Sequence, residues 1–155
     1  MAGSGRYRRH PRVREAAQAR YPEPEAAEPL TGVVLDSDVV IEILRGRPEV
    51  VNAAAALESS GVATFCTAIA WAEIYAGVRP GEEGLTRAFF EARGEVILDA
   101  LAGRRAGEYL SRFARSHGVE IADALVAAAA STTGLRLWTL NRRHYPMEDL
   151  DFFEG

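Results

Sequence analysis

The stretch Thr31-Gly32-Val33-Val34-Leu35-Asp36-Ser37-Asp38-Val39-Val40-Ile41-Glu42-Ile43-Leu44-Arg45-Gly46 decides the fold. Its first apolar run, Val33-Val34-Leu35, has no polar alternation and reads as a strand buried on both faces. An acid follows at once, and residues 38 to 45 read as a short helix. Strand followed by helix is the repeating unit of a parallel α/β sheet.

The remainder of the chain repeats that unit. Pro48 suits the first turn of a helix running to about Ser59, with Gly61 as its stop. Val62 to Phe65 is predicted as the second strand. Thr67 caps a helix through Val78, and a further helix is expected around Leu85 to Ala92. Val96-Ile97-Leu98 reads as the third strand, and Asp99 as the N-cap of a long helix to His117, ended by Gly118. Ile121 to Thr133 is an Ala-rich helix, small enough on its surface to pack in the interior, and Gly134 ends it. Leu135 to Leu140 reads as the fourth strand, followed by a loop from Asn141 to Met147 and a ragged tail. The expected class is therefore a three-layer α/β/α fold around a mostly parallel sheet of four to five strands.

The 155 residues, 48% of them hydrophobic, suffice for one core and not for two comfortable ones. Residues 1 to 30 are polar, hold four Pro and show no sustained apolar period. They are expected to form a mostly disordered leader ahead of one folded domain over 31–155, either an arm that binds RNA or a partner or, with at least equal weight, an extension without function. No apolar run approaches the length that spans a bilayer, and no signal-type segment opens the chain, so a cytoplasmic protein is expected. Cys66 is the only cysteine, which excludes an internal disulfide and a Cys-based zinc site.

All 18 basic residues are Arg. Without lysine, Schiff-base chemistry and the P-loop are excluded. Residues 1 to 20 hold six Arg against Glu15, a net of +5, whereas residues 31 to 155 hold 12 Arg against 18 acids, a net of −6. An acidic body that binds nucleic acid must use local Arg patches, bound cations or its leader.

Three acids interrupt apolar neighbourhoods. Asp36 ends a strand, Glu73 lies in Ala68-Ile69-Ala70-Trp71-Ala72-Glu73-Ile74-Tyr75-Ala76, and Asp123 opens Ile121-Ala122-Asp123-Ala124-Leu125-Val126-Ala127. Each has an ordinary explanation: a helix N-cap, an exposed helix position, a first-turn acid favoured by the helix dipole. Together they point elsewhere. The ends of parallel strands and the starts of the following helices share one edge of the sheet, where sites of open α/β folds form. Carboxylates gathered there repel unless a cation neutralises them, and oxygen-only ligands favour Mg²⁺ or Mn²⁺ over zinc.

The opening stretch, with Thr67 to Val78, Ile121 to Ala128 and Trp138 to Tyr145 in that order, resembles the PIN-domain nucleases, and among them the VapC toxins of VapBC toxin–antitoxin pairs. The likeness covers about residues 31 to 150. It implies a PIN-like fold and a Mg²⁺- or Mn²⁺-dependent endoribonuclease that hydrolyses RNA phosphodiesters. It also implies a homodimer and a VapB-like antitoxin as partner. Asp36, Glu73 and Asp123 match the family's metal-binding acids, and Asn141 falls on its fourth site position. Asp38 stands where the family usually has a neutral residue; it could join the cluster or cap the first helix, and the cap is the expectation. His144 stands where many members have Asp. Glu42 lies where an acid is common in such toxins, although a solvated helix face explains it nearly as well.

Two rivals remain open at this point. Asp36-Ser37-Asp38-Val39 after a strand also fits the motif of haloacid-dehalogenase-type phosphatases, with Asp36 as nucleophile. The lack of lysine weighs against that reading, and Glu73 and Asp123 would go unexplained. A catalytically inactive PIN-fold binding module is the other. Mutually repelling acids have no reason to persist in such a module.

Overall fold

The computed structural model describes residues 30–155. Except for Leu30, the expected leader lies outside the described residues. The chain forms β1 (Val33–Leu35), α1 (Ser37–Leu44), α2 (Pro48–Ser59), β2 (Thr64–Thr67), α3 (Ala68–Ala76), α4 (Glu83–Glu91), β3 (Gly94–Val96), α5 (Ala100–His117), α6 (Ile121–Thr133) and β4 (Arg136–Trp138). One turn of 3-10 helix, Arg142–His144, follows.

The helix signals act as expected. Thr67 and Asp99 each cap a helix, accepting the N–H of Ala70 and of Ala102. Gly118 and Gly134 end α5 and α6 in the left-handed conformation. The strands differ from expectation. β2 begins two residues later than predicted, at Thr64. β3 is Gly94–Val96 and not 96–98, and Ile97 is 68% exposed. As an edge strand paired only with β2, β3 buries just Val96, so apolar content does not mark its length. Gly94 sits against Phe65, whose ring would lie 2.4 Å from any Cβ at that position. β4 stops at Trp138, short of the predicted Leu140, because Thr139 and the Leu140 N–H turn aside to bond Asp38. The tail is ordered against β4. Leu137 donates its N–H to the Asp151 carbonyl and accepts from the Phe153 N–H, which covers the outer edge of that strand.

All pairings are parallel, in the order β3-β2-β1-β4. Successive side chains leave opposite faces of the sheet. Val33, Leu35, Cys66 and Trp138 join a core with α1 to α4, and Val34, Val96 and Leu137 join a second core with α5 and α6. This gives the three layers. α6 buries Ala124 and every residue from Val126 to Ala130, which only small side chains permit so close to the sheet.

The strand order fixes the position of the site. From β1 the chain steps outward through β2 to β3, then returns to lay β4 on the other side of β1. Helical connections therefore diverge between β1 and β4, and a crevice opens beyond their carboxyl ends. Asp36 stands at the end of one strand and Thr139 to Asn141 at the end of the other.

Candidate active site

Beyond β1 the backbone of Asp36 continues the ladder, its N–H donating to the Trp138 carbonyl at 2.9 Å. The side chain turns back to cap α1, with Oδ1 accepting the Ser37 N–H at 2.9 Å. Oδ2 accepts from the Tyr145 hydroxyl at 2.7 Å. Burial, partly offset by Tyr145 and then worsened by the neighbouring Asp38, raises the Asp36 pKa to about 6. Burial together with the charge of Asp36 pushes the Tyr145 hydroxyl far up, so it stays a proton donor.

Asp38 is not the cap of the first helix; Asp36 takes that role. Asp38 instead reaches across to β4, where Oδ2 accepts the Leu140 N–H at 3.0 Å and the Thr139 hydroxyl at 3.3 Å. The Asn141 N–H in turn donates to the Thr139 oxygen at 3.1 Å. These bonds stop the strand and deliver Asn141 to the crevice. Burial raises the Asp38 pKa, and Oδ1 is buried with no hydrogen-bond partner.

A pocket of about 130 Å³ opens there, and Asp36, Asp38, Glu73, Asp123, Asn141, His144 and Tyr145 all line it. Each acid singled out in the sequence thus meets the others at one place. They line the walls and do not close on a point: among the described residues, no three His, Cys, Asp or Glu side chains form a ready metal-ligand group. Asp123 is also the first-turn acid of α6, with Oδ2 accepting the Glu120 N–H at 3.0 Å. Its Oδ1 lies 3.7 Å from His144 Nδ1. Glu73, on α3, is exposed and makes no hydrogen bond or ion pair with the described residues.

Other candidates separate. Glu42 pairs with Arg45 and Arg47 and lies outside the pocket, as a solvated helix face would. Arg142 is tied to the tail by Glu154 and lies over the Phe152 ring. Arg143 stays at the rim, its Nε donating to Asn141 Oδ1 at 3.1 Å. Trp71 stacks on Phe90, and Trp138 is buried against Phe153, so both belong to the core. Cys66 is buried, and burial pushes its thiol up to about 12. Sequence reasoning missed Tyr145. The available signal was a tyrosine beside an acidic site, because a buried hydroxyl demands a partner.

Glu73 also borders a groove of about 330 Å³ between α1, α3 and α4, lined by Ile41, Leu44, Ile74 and Leu85 with Arg45 and Arg79 beside them. Among the described residues no helix is long and apolar enough to cross a membrane.

Fold and pocket together define an α/β/α protein with a carboxylate-walled crevice at its topological switch point. The PIN domain model matches residues 33–150, and the chain belongs to the PIN-domain family. Ribonuclease VapC19 of Mycobacterium tuberculosis is 31% identical over 115 residues, covering 74% of this chain and 92% of the relative. Ribonuclease VapC10 of the same organism is 32% identical over 117 residues, covering 74% and 86%. Among solved structures, DNA-bound VapBC from Salmonella typhimurium matches with a TM-score of 0.67 at 21% identity, covering 80% of this chain and 98% of that one. FitAcB from Neisseria gonorrhoeae matches with a TM-score of 0.61 at 25% identity, covering 79% and 96%.

Proposed function

We propose that the chain is an endoribonuclease of the VapC kind, the toxin of a type II toxin–antitoxin pair, working in the cytoplasm on RNA with Mg²⁺ or Mn²⁺. The observation that carries the reading is the meeting of Asp36, Asp38, Glu73 and Asp123 in one crevice of a PIN domain whose relatives are named ribonucleases. A hard divalent cation fits this donor set. The carboxylates offer oxygens, with His144 the one imidazole in the lining; burial raises the pKa of Asp36 and of Asp38, and Asp38 Oδ1 is a buried acceptor without a partner.

Asp36, Glu73 and Asp123 would hold the cation, and Asn141 would complete the wall. When bound, the cation supplies positive charge for the phosphodiester and its attacking water. The protein contributes placement. Asp36 is held through both oxygens, Asp123 through Oδ2, and Glu73 is free to swing from α3. Arg143 at the rim, where it braces Asn141, supplies a fixed guanidinium to a nearby phosphate. The adjoining groove, apolar with Arg45 and Arg79 at its border, suits a segment of a VapB-like antitoxin reaching the acidic crevice. The similarity to a VapBC complex supports such a partner, and the resemblance to the family implies a homodimer.

The test is cleavage of structured and single-stranded RNA by the purified chain with Mg²⁺, with Mn²⁺ and with EDTA. Metal-dependent internal cleavage is expected. Turnover of p-nitrophenyl phosphate without RNA cleavage would instead establish the phosphatase, and metal-bound protein that cuts no RNA would establish the binding module.

A further inference from the structure

The Asp36 carboxylate receives one hydrogen bond on each oxygen, from the Ser37 N–H on its own helix and from the Tyr145 hydroxyl 109 residues away. Each oxygen keeps acceptor capacity beyond that bond. The Tyr145 ring is only 5% exposed and packs in the core against α5 and α6, where a phenylalanine would fill the same space apart from one atom. The hydroxyl is thus not needed for packing, and its one hydrogen bond goes to Asp36. We propose that Tyr145 is a positioning residue: its hydroxyl fixes the rotamer of Asp36, so that the carboxylate faces a divalent cation already oriented. The assignment rests on the metal-dependent reading of the crevice. Acidic ligands are commonly steered by such outer partners, whose loss weakens metal binding or activity by roughly 10–100-fold.

The protein contains its own matched control. Tyr109 is likewise buried, and its hydroxyl likewise donates to a carboxylate, Asp149 Oδ2, at 2.7 Å, with Ser131 at 2.8 Å. That pair lies outside the crevice. Removing either hydroxyl deletes one part-buried bond to an acid, but only Tyr145 acts through a proposed ligand.

The experiment measures Mn²⁺ affinity by calorimetry on RNA-free full-length protein, alongside thermal melts, for wild type, Tyr145→Phe, Tyr109→Phe, Asp36→Asn and the double variant Asp36→Asn/Tyr145→Phe. Tyr145→Phe is expected to bind Mn²⁺ roughly tenfold or more weakly, and Tyr109→Phe to bind it as wild type does. The double variant should bind no worse than Asp36→Asn alone, because the hydroxyl then has no carboxylate to steer. Unchanged affinity in Tyr145→Phe, equal losses in both tyrosine variants, or an additive loss in the double variant would each overturn the assignment, the last two by exposing general loosening of the fold. A wild-type chain that binds no Mn²⁺ would overturn the metal reading of the crevice and this assignment with it.

Discussion

Asp36 serves as helix cap and as crevice wall, and the two roles conflict. Capping favours the charged carboxylate, whereas burial beside Asp38 disfavours it, and the balance lifts its pKa to about 6. Between pH 4 and pH 6 the unfolded chain gives up this proton while the folded chain keeps it, so folding loses stability as pH rises through that window. A two-unit upward shift, in which the Tyr145 bond is already counted as a lowering cause, corresponds to about 3 kcal/mol. Asp36→Asn, whose side chain can still cap, is therefore expected to be about 2–3 kcal/mol more stable than wild type at pH 7 in EDTA. At pH 4 the difference should vanish, and thermal melts across the range read it. Wild type should also rise in Tm with Mn²⁺ more than the variant does. Glu73 has no bond to lose, so Glu73→Gln should move stability by less than about 0.5 kcal/mol while reducing RNA cleavage by orders of magnitude. Asp123→Asn keeps an acceptor for the Glu120 N–H and should behave like Glu73→Gln. Near-normal cleavage in any two of the three would remove the carboxylates from catalysis.

Short strands of three or four residues make the sheet depend on close backbone approach. Gly32, with φ at 151°, leads into β1, and a Cβ there would stand 2.4 Å from the Ala63 carbonyl oxygen just before β2. That oxygen accepts the Val33 N–H at 3.0 Å, so it cannot retreat without opening the β1–β2 pairing. Gly32→Ala is expected to destabilise by about 2–4 kcal/mol, combining backbone strain with overpacking. Gly81 is the comparison: its φ is 93°, but a Cβ would meet open space, and Gly81→Ala should lose only about 1–2 kcal/mol to strain. Urea denaturation of the two variants checks the difference, and equal losses would show that φ alone sets the requirement.

Among the described residues, the two cores and the crevice are built from residues 33 to 153, and in the sequence the basic excess lies in residues 1 to 20. Deleting residues 1–29 is expected to leave melting temperature and metal-dependent cleavage unchanged, since that segment offers little apolar surface to bury. Loss of cleavage with an unchanged Tm would make the Arg-rich leader part of the RNA site. The sequence by itself determined the strand–helix alternation, the caps at Thr67 and Asp99, the glycine stops and the acids at 36, 73 and 123, because each is written in local chemistry or in apolar spacing. The bounds of β3 and β4 were decided by tertiary contact: a glycine under the Phe65 ring sets one, and the reach of Asp38 across to Thr139 and Leu140 sets the other. The same holds for the tail on β4, and for the Tyr145 bond to Asp36 over 109 residues. Local sequence carries no record of which distant donor a carboxylate meets. Only the strand order, by placing β4 beside β1, brings the two together.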